Sequence, residues 1–175
     1  MQKLLILTLL LSIHTLYAKQ PHTSPCAKLA LYEKTHEQSK EPAKVLFQLG
    51  KLAETIENEA PVEMEDYQKD PSYKNICHYK IVRSENFGDF PSYSGYHYLQ
   101  ILKQYPNSDL ADDAAFALIY VITEDTYNFS DTRIEKRKLA RFLKHYPKSN
   151  KAKEAKARIK EIEAQLKRGE SPILD

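Results

Sequence analysis

Cys26 and Cys77 are the two cysteines of this 175-residue sequence. They form no C-x-x-C pair, so a redox-active dithiol is not indicated. In an oxidising compartment an isolated pair of this kind forms a disulfide. Closing a loop of that length would stabilise the fold by about 4 kcal/mol in the chain-entropy model. The alternative is two unpaired thiols. Six histidines are present, and His78, His97 and His145 each adjoin a tyrosine. No H-E-x-x-H, no histidine pair at helical spacing and no Cys/His zinc spacing occurs, so no metal site is expected. Asp109, Asp112 and Asp113 crowd the start of a helix, where negative charge complements the dipole. That reading is preferred to a pair of catalytic carboxylates. There is no G-x-S-x-G, phosphate loop or dinucleotide fingerprint. The expectation is a non-enzyme without cofactors.

The elements that would position these residues are helical. The sequence has only 4 Gly and no Trp, which fits a helix-rich chain better than a glycine-punctuated sandwich. A first helical region is expected over Ala27–His36. A stronger helix follows over Ala43–Glu59, with Leu46, Leu49, Leu52-Ala53 and Ile56 at the amphipathic spacing. Pro42 stands near its start and Pro61 after its end. Val62–Tyr73 reads as a loop or short irregular helix, and Ser84–Ser92, with Gly88 and Pro91, as a loop. Ile76–Val82 fits either a short strand or helical turns. Helices are then expected over Ser94–Tyr105, from Ser108 or Asp109 to Ile122, from Asp131 or Thr132 to Tyr146, and from Ser149 or Asn150 to Arg168. Gly169 is placed to end the last one. Phe87, Phe90, Tyr93, Tyr96 and Tyr98 make an aromatic run expected to pack against the N-terminal half.

The last four helices are two copies of one unit. Tyr98-Leu-Gln-Ile-Leu-Lys-Gln-Tyr-Pro-Asn-Ser108 aligns with Leu139-Ala-Arg-Phe-Leu-Lys-His-Tyr-Pro-Lys-Ser149 at an offset of 41 residues. The offset also pairs Ala111 with Ala152 and Ala114 with Ala155. A period of this size signals stacked helical hairpins. Proline stops each first helix, and small alanines let the return helix approach closely. The Ala111–Ile122 segment is apolar nearly all round, as expected of a sandwiched helix. The last segment carries one apolar stripe: Ala152, Ala155, Ile159, Ile162 and Leu166. Glu154–Arg158 and Glu163–Lys167 are spaced for support along its own surface, as in a capping helix.

On these stretches, over about Ser94–Leu166, the chain resembles tetratricopeptide repeats. It is most similar to the subtype found in bacterial periplasmic proteins that help assemble outer-membrane barrels or accompany the Tol–Pal machinery. The resemblance implies an all-α fold, an antiparallel αα-hairpin solenoid with an N-terminal helical extension. It also implies a protein-binding adaptor or scaffold. Leu46–Ile56 is a candidate degenerate third copy, and Thr123–Asp131 lengthens the repeat.

The first 18 residues have the charged, apolar and small-residue layout of a secretory signal peptide ending near Ala18. Their apolar stretch is short for a membrane span, which wants ~20 residues. Cys26 follows Thr23-Ser24-Pro25, not a lipid-anchor tetrad. The expected organisation is a signal peptide (1–18), a disordered leader (19–25), an N-terminal helical region (26–92), two hairpins (93–168) and a tail (169–175). The location is periplasmic or secreted. A net charge of +2 is too small to indicate nucleic-acid binding, and no stable membrane insertion is expected of the mature chain. For a partner protein or peptide, the candidate surface lies opposite the core stripe. It comprises Tyr96, Gln100 and Lys103 and their counterparts Arg137, Arg141 and Lys144. This polar, mostly basic set suits an acidic or extended peptide, the alternative being an ordinary solvated face. A second function class is an inhibitor or toxin-neutralising protein acting through the N-terminal half. Asn128-Phe129-Ser130 fits a glycosylation acceptor, discounted because the resemblance is bacterial.

Overall fold

The computed structural model describes residues 25–36, 38–59, 61–83, 88–122 and 132–169. Residues 1–24, Asp131 and the Asn128-Phe129-Ser130 triplet lie outside them. In chain order the described elements are α1 (Pro25–His36), α2 (Pro42–Glu59), α3 (Met64–Lys69), α4 (Ser72–Asn75), β1 (Tyr79–Val82), β2 (Phe90–Tyr93), α5 (Tyr96–Gln104), α6 (Ala111–Tyr120), α7 (Thr132–His145) and α8 (Ala152–Arg168). The protein is mostly helical, with one small two-stranded sheet.

That sheet corrects the all-α expectation. Antiparallel β1 and β2 pair Tyr79 with Tyr93 and Val82 with Phe90. Within Ile76–Val82 the first three residues are the turn after α4 and Tyr79–Val82 is strand β1, and part of the Ser84–Ser92 loop is strand β2. Pro91 hid the second strand, since proline lacks a ladder donor. In a two-stranded sheet every strand is an edge, where proline is tolerated. Within Val62–Tyr73, α3 is the short helix that was one of the two alternatives there, and a second, α4, begins at Ser72. Pro25 belongs to α1, not to a leader, consistent with proline at a first helical turn.

The long helices pack in sequence order: α1 on α2, α2 on α5, α5 on α6, α6 on α7 and α7 on α8. The short elements between α2 and α5 sit beside this stack, β2 touching α2 and α3. Two core clusters result. The first joins Cys26 and Leu29 of α1, Leu49 and Ala53 of α2, Tyr93, and Tyr98 and Ile101 of α5. The second joins Leu139 and Phe142 of α7 to Ala155 and Ile162 of α8. Helix α6 lies between them, giving Ala114 and Ala117 to the first and Phe116 and Ile119 to the second. Its all-round apolar sequence is explained by that position. Each fully buried Leu or Ile in these clusters contributes ~1.5–3 kcal/mol. The aromatic run divides: Tyr93 and Tyr98 are core, and Tyr96 is exposed.

The 41-residue repeat recurs in the backbone. Tyr105 N–H donates to Ile101 O, and Tyr146 N–H to Phe142 O, both at 2.8 Å. Ser108 N–H donates to Tyr105 O at 3.0 Å, and Ser149 N–H to Tyr146 O at 3.1 Å. Ala111 and Ala152 donate to Ser108 O and Ser149 O, both at 3.0 Å. Ala114 and Ala155 donate to Leu110 O and Lys151 O, both at 2.9 Å. These bonds displace the expected caps. Ser108 and Asp109 are turn residues and Leu110 precedes the helix. Lys151 precedes α8, although Ser149 Oγ accepts from Lys151 N–H at 3.0 Å. Helix α6 ends at Tyr120 because Val121 is extended. Helix α5 starts late because Gly95 is left-handed, at φ 76°. Gly169, also left-handed, ends α8 as expected.

Helix α8 is held by ion pairs that the along-helix spacing did not anticipate. Arg158 makes a two-pronged contact with Glu135 of α7, at 2.8 and 2.9 Å, and also reaches Glu161. Glu163 pairs with Lys136 of α7 at 2.7 Å. Cys26 and Cys77 form a disulfide with Cα atoms 5.3 Å apart. Among the described residues no helix is long and apolar enough to cross a membrane.

Candidate functional site

Helices α5, α6 and α7 leave a groove where they meet. Leu102 of α5, Ala115, Leu118 and Ile119 of α6, and Phe142 and Tyr146 of α7 form its apolar wall. Ala115 matters by being small: a longer side chain there would fill the recess. The cavity measures about 470 Å³, within the ~300–1,000 Å³ range of ligand pockets. Its polar lining is Lys138, Arg141 and His145, with no acidic residue among the described lining. Lys138 Nζ donates to Ile119 O at 3.3 Å, placing a cation at the negative end of α6. His145 lies one turn on from Arg141, its Nδ1 2.8 Å from the Arg141 carbonyl.

Of the six residues expected to form a binding surface, Arg141 lines this cavity. Gln100 Oε1 accepts from Gln104 Nε2 at 2.7 Å on the outside of α5. Lys103, Arg137 and Lys144 are exposed and do not line it. Tyr96 is turned elsewhere, its ring stacked on His78 with centroids 3.7 Å apart. Lys138 and His145 belong to the groove, but Lys138 was not singled out from sequence and His145 only as a histidine beside a tyrosine. Neither falls at a position of the chosen exposed stripe, and the neighbouring α6 creates their shared recess. A second cavity of about 660 Å³ touches α2, α6 and α8. It mixes both signs of charge, with Lys51 paired to Glu54 at 2.8 Å, so it offers no single-sign rim.

Comparison with protein-family models, characterised proteins and solved structures returns no match.

A second constellation lies in the N-terminal half. Glu33 Oε1 sits 3.0 Å from His78 Nε2 and 3.3 Å from His97 Nε2. Burial pushes the Glu33 carboxyl up, but hydrogen bonds from His78 and His97, and their charges, outweigh it and hold it down at about 2. Behind His97, its Nδ1 lies 2.9 Å from Tyr93 Oη, which also accepts the His97 backbone N–H at 3.1 Å. Burial pushes the Tyr93 phenol far up, so it stays a neutral hydrogen-bonding group. The disulfide builds this cluster. Cys26, Leu29 and Glu33 fall on one face of α1 at i, i+3 and i+7, and Cys77 precedes His78. Joining Cys26 to Cys77 therefore turns Glu33 toward His78. Local spacing carried no sign of the cluster, because its members lie 45 and 64 residues apart from Glu33. The one signal was the cysteine pairing, extended two turns along α1.

Proposed function

We propose that this chain is an exported, non-catalytic helical-repeat adaptor that holds a segment of a partner protein in the groove between α5, α6 and α7. The occupant is an extended or helical peptide with apolar anchors flanked by Asp or Glu. The observation that carries this reading is the charge pattern of the cavity: an apolar wall with Lys138, Arg141 and His145 on its lining. Arg137, Lys103 and Lys144 add positive charge nearby and would steer an acidic segment. Support for a tetratricopeptide-like solenoid comes from the backbone hydrogen bonds repeated at the 41-residue offset. The packing of α1 on α2, and of α2 on α5, supports a third hairpin in such a stack. Support for export comes from the leader-like first 18 residues and the Cys26–Cys77 disulfide, since disulfides persist in oxidising compartments.

Peptide display on the purified chain tests the reading. Selected peptides should be enriched in Asp or Glu beside Leu, Ile or Phe. Arg141→Glu should weaken the selected binders about tenfold, near 1.4 kcal/mol, with helicity unchanged. Selection without acidic enrichment, or binders indifferent to Arg141→Glu, would sink the groove as the binding site.

A further inference from the structure

We infer that Glu33, His78 and His97 form a binding site for a divalent first-row metal ion, with zinc the best fit. Two imidazole nitrogens and one carboxylate oxygen are a ligand set that zinc accepts, leaving a fourth position for water. Ligand bonds of ~2.0–2.2 Å place neighbouring ligand atoms of a tetrahedral site about 3.3 Å apart. Glu33 Oε1 stands 3.0 and 3.3 Å from the two Nε2 atoms, and all three ligand atoms lie within 4.8 Å of one another. A cation placed among them would need only small side-chain adjustments.

The surroundings fit a built site better than a chance meeting of surface groups. The His97 side chain is 1% exposed, His78 19% and Glu33 32%. The cluster is thus anchored in the core and open on the Glu33 side, where an ion and its water would enter. Metal-bound histidines are oriented by a partner on the other ring nitrogen. Tyr93 Oη occupies that place on His97 Nδ1. The Tyr96 ring stacks on His78 at 20° between planes, fixing its orientation. The backbone is committed as well, because His78 adopts a left-handed φ of 54°. That conformation is uncommon outside glycine and aims the ring back at α1 and α5. Three separate elements supply the ligands, so a bound ion would tie α1, the approach to β1 and α5 together.

The cluster is also a complete hydrogen-bonded set without metal, a single carboxylate accepting from two imidazoles. The two readings separate by experiment. The full chain, disulfide intact and stripped with a chelator, is titrated with Zn²⁺ by calorimetry and with Co²⁺ by visible absorption. One ion per chain should bind, Zn²⁺ should raise the Tm, and Co²⁺ should give the visible band of a four-coordinate nitrogen and oxygen site. Mg²⁺, which demands octahedral oxygen coordination, should do neither. Glu33→Gln keeps an acceptor but loses the charge. His78→Asn loses the imidazole but tolerates a left-handed backbone. Each should weaken Zn²⁺ binding by more than the ~10–100-fold typical of losing an outer partner, with circular dichroism unchanged. Tyr93→Phe should fall within that ~10–100-fold range. Absence of saturable one-to-one binding, or Zn²⁺ affinity in both ligand variants equal to that of the unmodified chain, would overturn the site and leave a hydrogen-bonded cluster only.

Discussion

Glu57 and Gly50 show how single residues carry opposed effects here. Burial pushes the Glu57 carboxyl up, partly offset by the hydrogen bond from Tyr93 N–H at 3.1 Å. A carboxyl whose folded pKa is raised binds protons more tightly folded than unfolded. Its contribution is fully present below the ordinary carboxyl range and is lost as pH rises through the folded value. Glu57→Gln keeps an acceptor for Tyr93 N–H and removes the charge. The variant should therefore melt higher than the parent at pH 7 and no higher at pH 3.5, values on either side of the unperturbed ~4.3. An equal shift at both pH values would locate the effect in packing. Gly50 sits mid-helix in α2, and a Cβ there would lie 2.5 Å from Tyr98 Cε1. Gly50→Ala gains ~1 kcal/mol of helix propensity but overpacks the α2–α5 contact, which costs ~1–3 kcal/mol. The net expectation is destabilisation. Adding Tyr98→Leu, which removes the ring, should turn the alanine favourable in a double-mutant cycle. Additive effects would show that the ring moves aside at no cost.

At the scale of elements, legibility followed periodicity. Helices α2, α5, α6, α7 and α8 were readable because each repeats an apolar stripe over at least two turns. The paired Tyr-Pro-x-Ser turns located the boundaries of α5 and α6, and of α7 and α8, to within a few residues. Of the β1–β2 pair, β1 was one of two alternatives for Ile76–Val82, and β2 was read as loop. Four residues per strand are too few for alternation to stand out, and Pro91 and Gly88 signal a loop by type. Of the along-helix pairs expected on α8, Lys167 still attracts Glu163, whose direct partner is Lys136, while Arg158 turns from Glu154 to Glu135. Spacing within one helix says nothing of a better partner on the next, and Glu135 offers Arg158 both carboxylate oxygens. Hydrogen bonds that it donates to Glu135 hold the Arg158 guanidinium above its ordinary range, so it is charged at every accessible pH. Because the pair is half-exposed, Arg158→Lys, which loses the fork, should cost no more than about 1 kcal/mol. Glu154→Gln, which removes the partner expected from spacing alone, should leave the Tm unchanged. A larger loss from Glu154→Gln than from Arg158→Lys would restore the along-helix pairing.

At the scale of the whole molecule, the two core clusters make stability divisible. The disulfide ties α1 to the residue before His78, and only the first cluster contains residues from α1. Replacing both Cys26 and Cys77 by alanine should cost about 2–5 kcal/mol, the range for removing a native disulfide. That loss should fall unevenly. Amide exchange should rise first in α1 and in β1, which begins two residues after Cys77. Amides of α7 and α8 should keep their protection relative to global unfolding, because Leu139, Phe142 and Ile162 pack among themselves and on α6. Helix α6 is the coupling element, since Ala114 and Ala117 face one cluster while Phe116 and Ile119 face the other. A substitution there is felt by both halves. Phe116→Ala, worth ~3–5 kcal/mol in a packed core, should lower protection in α7 and α8 and also loosen α5. Removing the disulfide should leave the groove wall at Phe142 and Tyr146 intact. If protection instead falls evenly from α1 to α8 on removing the disulfide, the clusters unfold as one unit, and peptide binding in the groove would weaken whenever the disulfide is reduced.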